Sequence, residues 1–172
     1  MPDDLNPDLS HNLADKQPDS LLNEKLHEPP DISNISRVLG FDYGKKRIGI
    51  ASGQTITHTA TPQITLKQVS GNTDWSSIAE QIKQWCPQAL IVGMPYHLDG
   101  NKNAMTQAVE EFCNGLRKRH KLPIFTIDER HSSTQAEEVL KQSIKIGQHN
   151  KDEIDKMAAA VIVQRWLDTL AH

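Results

Sequence analysis

A pair of apolar runs separated by only four residues constrains the fold more than any other feature. The runs are VLGFD (38–42) and RIGIASG (47–53), and the YGKK between them contains a glycine suited to a turn. Two extended segments this close in sequence predict an antiparallel β-hairpin. A third extended segment follows around 57–66, and Pro62 within it predicts an edge strand or a β-bulge.

The rest of the chain alternates between helical and extended patterns. Asp74 is a favourable N-cap for an amphipathic helix that ends before Pro87. ALIVGMP (89–95) is wholly apolar, which is typical of a central strand buried on both faces. The remaining predicted elements are a helix over 103–119, a buried strand over 123–130, a helix over 133–143, a polar loop over 146–153 and a final helix over 154–170.

The predicted element order is β-β-β-α-β-α-β-α-α. A meander of three strands followed by alternating helices and strands favours an α/β fold with a mixed five-stranded sheet and helices on both faces. This order is that of the ribonuclease H-like fold.

Charge divides the chain near residue 37. Residues 1–36 contain eight acids and two lysines and are rich in proline, asparagine and serine. They are predicted to form a disordered acidic N-terminal tail, with a short helix around 20–28 as the alternative. Residues 37–172 contain 17 lysines and arginines against 14 acids, and we expect them to form one folded domain.

Several features concern the cellular compartment. No stretch approaches the ~20 apolar residues of a membrane-spanning helix, and the first residues lack the basic start and apolar core of a secretory signal. Cys86 and Cys113 lie far apart and form no CxxC pair, which is typical of thiols in a reducing compartment. We therefore expect a cytoplasmic protein that does not bind membranes.

Four carboxylates occupy positions that the predicted sheet would bring to one edge. Asp42 lies in the first strand, Asp128 and Glu129 close the strand over 123–130, and Asp155 begins the last helix. Burying an unpartnered carboxylate is costly, and a cluster of them needs a cation. Oxygen ligands of this kind suit Mg²⁺ or Mn²⁺, which activate water and stabilise the leaving oxygen in phosphodiester cleavage.

Each acid also has a purely structural explanation. Asp42 can cap a turn, Asp155 can be a helix N-terminal acid stabilised by the helix dipole, and Asp128 with Glu129 can form a solvated strand end. Their joint occurrence favours a site.

Basic residues beside these acids are candidates for binding phosphate groups. Lys45, Lys46 and Arg47 lie in the hairpin turn, Arg130 follows the acidic pair, and Lys151 precedes Asp155. The alternative for the turn is a solvated loop. The alternative for Arg130 is an ion pair with Glu129.

Four ordered motifs carry a resemblance to a known family. They are GFDYGKKRIGIASG (40–53), LIVGMPYHLDG (90–100), TIDERHSSTQAE (126–137) and IDKMAAAVIV (154–163). With them the chain resembles the YqgF family, the Holliday-junction-resolvase-like proteins also described as pre-16S rRNA nucleases. The resemblance implies a ribonuclease H-like fold and a metal-dependent nuclease that hydrolyses phosphodiester bonds and processes the 5′ end of pre-16S rRNA during ribosome biogenesis.

The resemblance also implies roles for individual residues. Asp42, Glu129 and Asp155 match the family's metal-binding catalytic acids, and Asp128 is a neighbour that could share or replace the role of Glu129. Gly93 stands where the RuvC-type resolvases carry a glutamate, which weakens the expectation of junction-resolving activity. The implied partner is nucleic acid, precursor 16S rRNA, with ribosomal or other proteins as further candidates.

Three other functions stay open at this point. One is a Holliday junction DNA resolvase on the same scaffold, and another is a non-catalytic RNA- or ribosome-binding module with vestigial acids. A third is suggested by FDYGKKRIGIA (41–51), which is also similar to the phosphate-binding hairpin of actin-like ATPases and sugar kinases. Those proteins hold nucleotide between two related domains, and this chain has room for only one.

Overall fold

The computed structural model describes residues 31–97, 99–130, 138–139, 142–143, 145 and 150–171. All described residues except Asp31 belong to one compact unit, Ile32–His172. The predicted tail lies outside the described residues up to residue 30. Most of the helix predicted over 133–143 lies outside them as well.

A five-stranded sheet with helices on both faces forms this unit, as predicted. The elements are β1 (Arg37–Tyr43), β2 (Arg47–Gln54), β3 (Thr59–Lys67), α1 (Trp75–Trp85), β4 (Ala89–Met94), α2 (Ala104–Arg119), β5 (Ile124–Asp128) and α3 (Lys151–Thr169). The strand order is β3-β2-β1-β4-β5. β1, β2 and β3 form the antiparallel meander, while β4 runs parallel to both β1 and β5.

Two cores lie on opposite faces of the sheet because successive strand residues point to opposite sides. On β1, Leu39 and Phe41 pack with Phe112 of α2 and with α1, whereas Val38 packs with Val163 of α3. The sheet is therefore covered by α1 and α2 on one side and by α3 on the other.

The strand predictions were correct for the hairpin and for β4 but not for β5. All six residues of β4 are buried between β1 and β5, as predicted. β3 is an edge strand, and its register with β2 shifts opposite Pro62, between Ile50 and Ala51. β5 was predicted to be buried, but it lies at the other edge and is only half-buried, because among the described strands it pairs with β4 alone.

The last helix begins three residues earlier than predicted. Asn150 caps it by accepting a hydrogen bond from the backbone N–H of Glu153, and Asp152 and Glu153 occupy its first turn. The polar loop predicted over 146–153 is therefore wrong for 151–153. As a consequence Asp155 lies in the second turn, where the helix dipole no longer accounts for an acid.

Among the described residues, no helix has the length and apolar character needed to cross a membrane. Cys86 is exposed and Cys113 is buried, and both are free thiols.

Candidate active site

Asp42 lies near the end of β1 on the face of the sheet that α3 covers. A Cβ atom on Gly40, two residues earlier, would collide with Val163 of α3, and side chains two residues apart share one face of a strand. Asp42 is therefore held in a paired strand beneath a helix, which gives it little freedom to move.

Glycines flank Asp42 on both neighbouring strands. On β2, Gly49 is directly opposite Asp42, and a Cβ there would overlap the backbone carbonyl of Asp155. On β4, Gly93 follows Val92, which pairs with Phe41, and a Cβ there would overlap Oε1 of Glu129. The missing side chains let α3 and the Glu129 carboxylate approach Asp42 from two sides.

Electrostatic interactions link Asp42 to the two other acids. Burial, followed by the negative charges of Glu129 and Asp155, raises the pKa of Asp42 from 3.8 to about 7. Burial of its carboxyl group also raises the pKa of Glu129; Arg165 opposes this shift and Asp128 adds to it. Glu129 is exposed as a residue, and Oε1 of its carboxylate lies over Gly93.

Arg47 is engaged with carboxylates. Its Nε donates to Oδ2 of Asp155 at 2.5 Å and lies 3.9 Å from Oδ1 of Asp152. Both partners of the closer pair are about three-quarters buried, so the guanidinium neutralises Asp155 in a partly desolvated environment. The residue predicted to bind phosphate thus makes an intramolecular ion pair.

Asp128 lies on the opposite face from Glu129 and binds Arg130. The Arg130 backbone N–H donates to Oδ1 at 2.9 Å, Nε donates to both carboxylate oxygens, and Nη2 donates to Oδ2. The guanidinium also lies 5.3 Å from the Tyr96 ring centre and donates to the carbonyl of His97. Arg130 therefore pairs with Asp128 rather than with Glu129, and the pair anchors the segment that follows β4.

The other predicted phosphate-binding residues are exposed. Lys45 and Lys46 lie in the hairpin turn, and Lys151 is the first residue of α3. These side chains can reach a ligand in solvent without breaking an internal contact seen in the described part of the chain. Their role in binding phosphate stays a prediction.

The oxygen atoms of the three carboxylates are suitable ligands for a divalent cation, but the three groups are not arranged around one position. In the described part of the chain, no three carboxylate, histidine or cysteine side chains converge tightly enough to hold an ion as they stand. The pKa of Asp42 is raised first by burial and then by the charges of Glu129 and Asp155, and a hard cation with oxygen ligands would offset these effects. Asp155 would have to exchange Arg47 for the ion.

Two residues of this region escaped the prediction from sequence. In the sequence, Gly49 looks like an ordinary strand residue. Its role is visible only in the structure, where α3 approaches the backbone of β2 at this position. Arg165 donates to the backbone carbonyl of Asp128 at 2.9 Å and faces Glu129 electrostatically. Arg165 could have been recognised from the sequence, because it is a positively charged residue within the apolar part of the last helix.

Comparison with known proteins places the chain in a family. The family model described as "RuvX: Holliday junction resolvase" matches residues 36–169. A protein of Legionella pneumophila named "Putative pre-16S rRNA nuclease" is 43% identical over 129 residues, which is 75% of this chain and 93% of that protein. A protein of the same name from Methylobacillus flagellatus is 39% identical over 142 residues, covering 83% and 97%.

One solved structure supports the fold. RuvC of T. thermophilus in complex with a Holliday junction substrate superimposes with a TM-score of 0.53 at 11% identity, over 79% of this chain and 96% of that one. This likeness confirms the predicted ribonuclease H-like architecture. The match of the family model and the identity to these relatives establish that the chain belongs to the RuvX (YqgF) family of Holliday-junction-resolvase-like proteins.

Proposed function

We propose that the protein is a metal-dependent nuclease that processes the 5′ end of pre-16S rRNA. The observation that carries the proposal is the half-buried Asp42, whose pKa is raised to about 7 by burial and by the charges of Glu129 and Asp155. A fold that brings acids from β1, from the end of β5 and from α3 near one another accumulates negative charge that a divalent cation would balance. Acids held near the ends of strands β1 and β5 in this way are suited to metal-dependent phosphodiester hydrolysis.

Each residue has a defined part in the proposed mechanism. Asp42, Glu129 and Asp155 would hold Mg²⁺ or Mn²⁺, which supplies an activated water and stabilises the leaving oxygen. Asp42 fixes the position of the site because its strand is paired on both sides. Lys45, Lys46 and Lys151, all exposed, would bind flanking phosphates, and Arg47 would release Asp155 when the ion binds.

Pre-16S rRNA is the proposed substrate because relatives about 40% identical over most of their length carry that name. This role implies a cytoplasmic location and contact with ribosomal proteins. The second candidate is cleavage of Holliday junctions, which is favoured by the description of the matching family. Both functions use the same acids, so only the choice of substrate separates them.

The test is cleavage of end-labelled precursor 16S rRNA fragments by the purified full chain with Mg²⁺ or Mn²⁺, beside a four-way DNA junction. Asp42→Asn is the inactive variant. Asp74→Asn is the matched control, because Asp74 caps α1 through its side chain and asparagine caps equally well.

The proposal expects cutting near the mature 5′ end that is lost in Asp42→Asn and kept in Asp74→Asn. Cutting of the junction alone would transfer the function to DNA. No metal-dependent cutting of either substrate would overturn the nuclease function and favour a binding module.

A further inference from the structure

We propose that Gly93 is a positioning residue, whose bare backbone at the end of β4 opens the space through which Glu129 of the neighbouring strand reaches Asp42. The inference rests on the proposed function, in which Glu129 holds the metal. It adds a residue that touches neither metal nor substrate and that determines where one ligand can lie.

The geometry follows from the order of the strands. β4 lies between β1, which carries Asp42, and β5, which leads to Glu129. Gly93 pairs in register with Ile127, and the backbone N–H of Glu129 donates to the carbonyl of Met94 at 3.3 Å. Ile127 packs against the core beneath α3, so Glu129, two residues later, projects toward the same face. To reach Asp42, its side chain must cross β4 at Gly93.

Position 93 requires a glycine because there is no room for a side chain, and not because of its backbone conformation. The described glycines with positive φ are Gly71 and Gly100, so the backbone of Gly93 suits any L-residue. A glycine inside a strand weakens the strand and often marks a close approach. Here a Cβ would overlap Oε1 of Glu129. A side chain at position 93 would therefore displace the carboxylate from Asp42.

Ile162 of α3 offers a competing explanation. The same Cβ would lie 2.5 Å from Ile162 Cδ1 and 3.1 Å from Cγ1, so the glycine could serve only to seat the helix. Ile162→Val removes the Cδ1 atom and leaves the overlap with Glu129 in place. This substitution separates the two explanations.

The experiment compares Ile162→Val with Ile162→Val/Gly93→Ala in the full chain. The first readout is a crystal structure, which shows where the Glu129 carboxylate lies relative to Asp42. The second is Mn²⁺ affinity by calorimetry without nucleic acid, and thermal melting checks folding. We expect the carboxylate to leave its place over β4 in the double variant. Mn²⁺ affinity should fall about ten- to a hundredfold, as when the support of a metal ligand is lost.

A second variant keeps the inference testable if the double variant does not fold. This relocation variant moves the carboxylate from residue 129 to residue 93. In Ile162→Val/Glu129→Ala/Gly93→Asp the residue-93 Cβ lies close to the former Oε1 position, so its carboxylate supplies an oxygen in the same region from β4. We expect it to bind Mn²⁺ at least tenfold more tightly than Ile162→Val/Glu129→Ala.

Three results would decide against the inference or against the function. A Glu129 carboxylate that stays beside Asp42 in a folded Ile162→Val/Gly93→Ala variant would overturn the inference. A relocation variant that binds Mn²⁺ no more tightly than Ile162→Val/Glu129→Ala would overturn it as well. A wild-type chain that binds no Mn²⁺ would overturn the proposed function alone, because the crystal structures would still decide the role of Gly93.

Discussion

Replacement of Asp42 by asparagine should stabilise the metal-free protein at alkaline pH. Burial and two neighbouring acids raise the pKa of Asp42 from 3.8 to about 7, so the folded state holds a proton that the unfolded state releases. The contribution of protonated Asp42 to the free energy of unfolding is complete below about pH 4 and is lost as the pH rises through 7. At about 1.4 kcal/mol per pH unit, the loss approaches roughly 4 kcal/mol above pH 8.

An asparagine side chain at this position has no charge to bury, so the variant should escape this loss. Urea denaturation in EDTA at pH 5 and pH 8.5 measures the free energy of unfolding of both proteins. We expect Asp42→Asn to gain roughly 2.7 kcal/mol on wild type between the two pH values, because the interval from pH 5 to the folded-state pKa of about 7 spans two pH units. Because other titrating groups are common to both proteins, the difference isolates Asp42.

The control for this measurement is Asp74→Asn. Hydrogen bonds from Ser77 hold the pKa of Asp74 below its ordinary value, so its pH dependence has the opposite sign. An Asp42→Asn variant that is equally less stable than wild type at both pH values would refute the reasoning. Asp42 would then be a structural cap whose charge is already balanced.

Three other measurements test the same contacts. Mg²⁺ or Mn²⁺ at a hundred times its dissociation constant should stabilise the wild type by about 2.7 kcal/mol but leave Asp42→Asn unchanged in thermal melts. Glu129→Gln should weaken Mn²⁺ binding at least tenfold in calorimetry. Asp128→Asn should instead lower the free energy of unfolding, because it loses the ion pair with Arg130. Equal losses of Mn²⁺ affinity in the two variants would contradict these separate roles. Phe112→Ala should cost about 3–5 kcal/mol in urea denaturation, because this buried ring contacts three aromatic rings.

Local patterns predicted most of the fold. The hairpin of β1 and β2 and the buried β4 followed from apolar periodicity, which each strand carries within itself. The edge position of β5 did not follow, because PIFTID (123–128) carries three large apolar residues, as a buried strand does, and only the order of strands makes it an edge. The early start of α3 was readable in principle, since Asn150 and two acids form an ordinary helix start.

The candidate site was predictable as a set of acids but not as an arrangement. The sequence places Asp128 and Glu129 side by side, and only the alternation of side chains at the end of β5 assigns one to each face. Arg130 could therefore not be assigned to either acid from sequence, and the structure pairs it with Asp128. Gly49 and Gly93 matter through contacts with distant segments, which no local pattern encodes.

The distribution of cations explains why Asp42 bears the electrostatic strain of the site. Arg47 neutralises Asp155 and Arg165 partly offsets the charge near Glu129. Among the ion pairs of the described residues, none includes Asp42. The protein thus balances the two peripheral acids with its own arginines and leaves the central one without a counter-charge. A divalent cation bound at Asp42 would relieve the largest repulsion first, and the exchange of Arg47 for the ion at Asp155 would then complete the site.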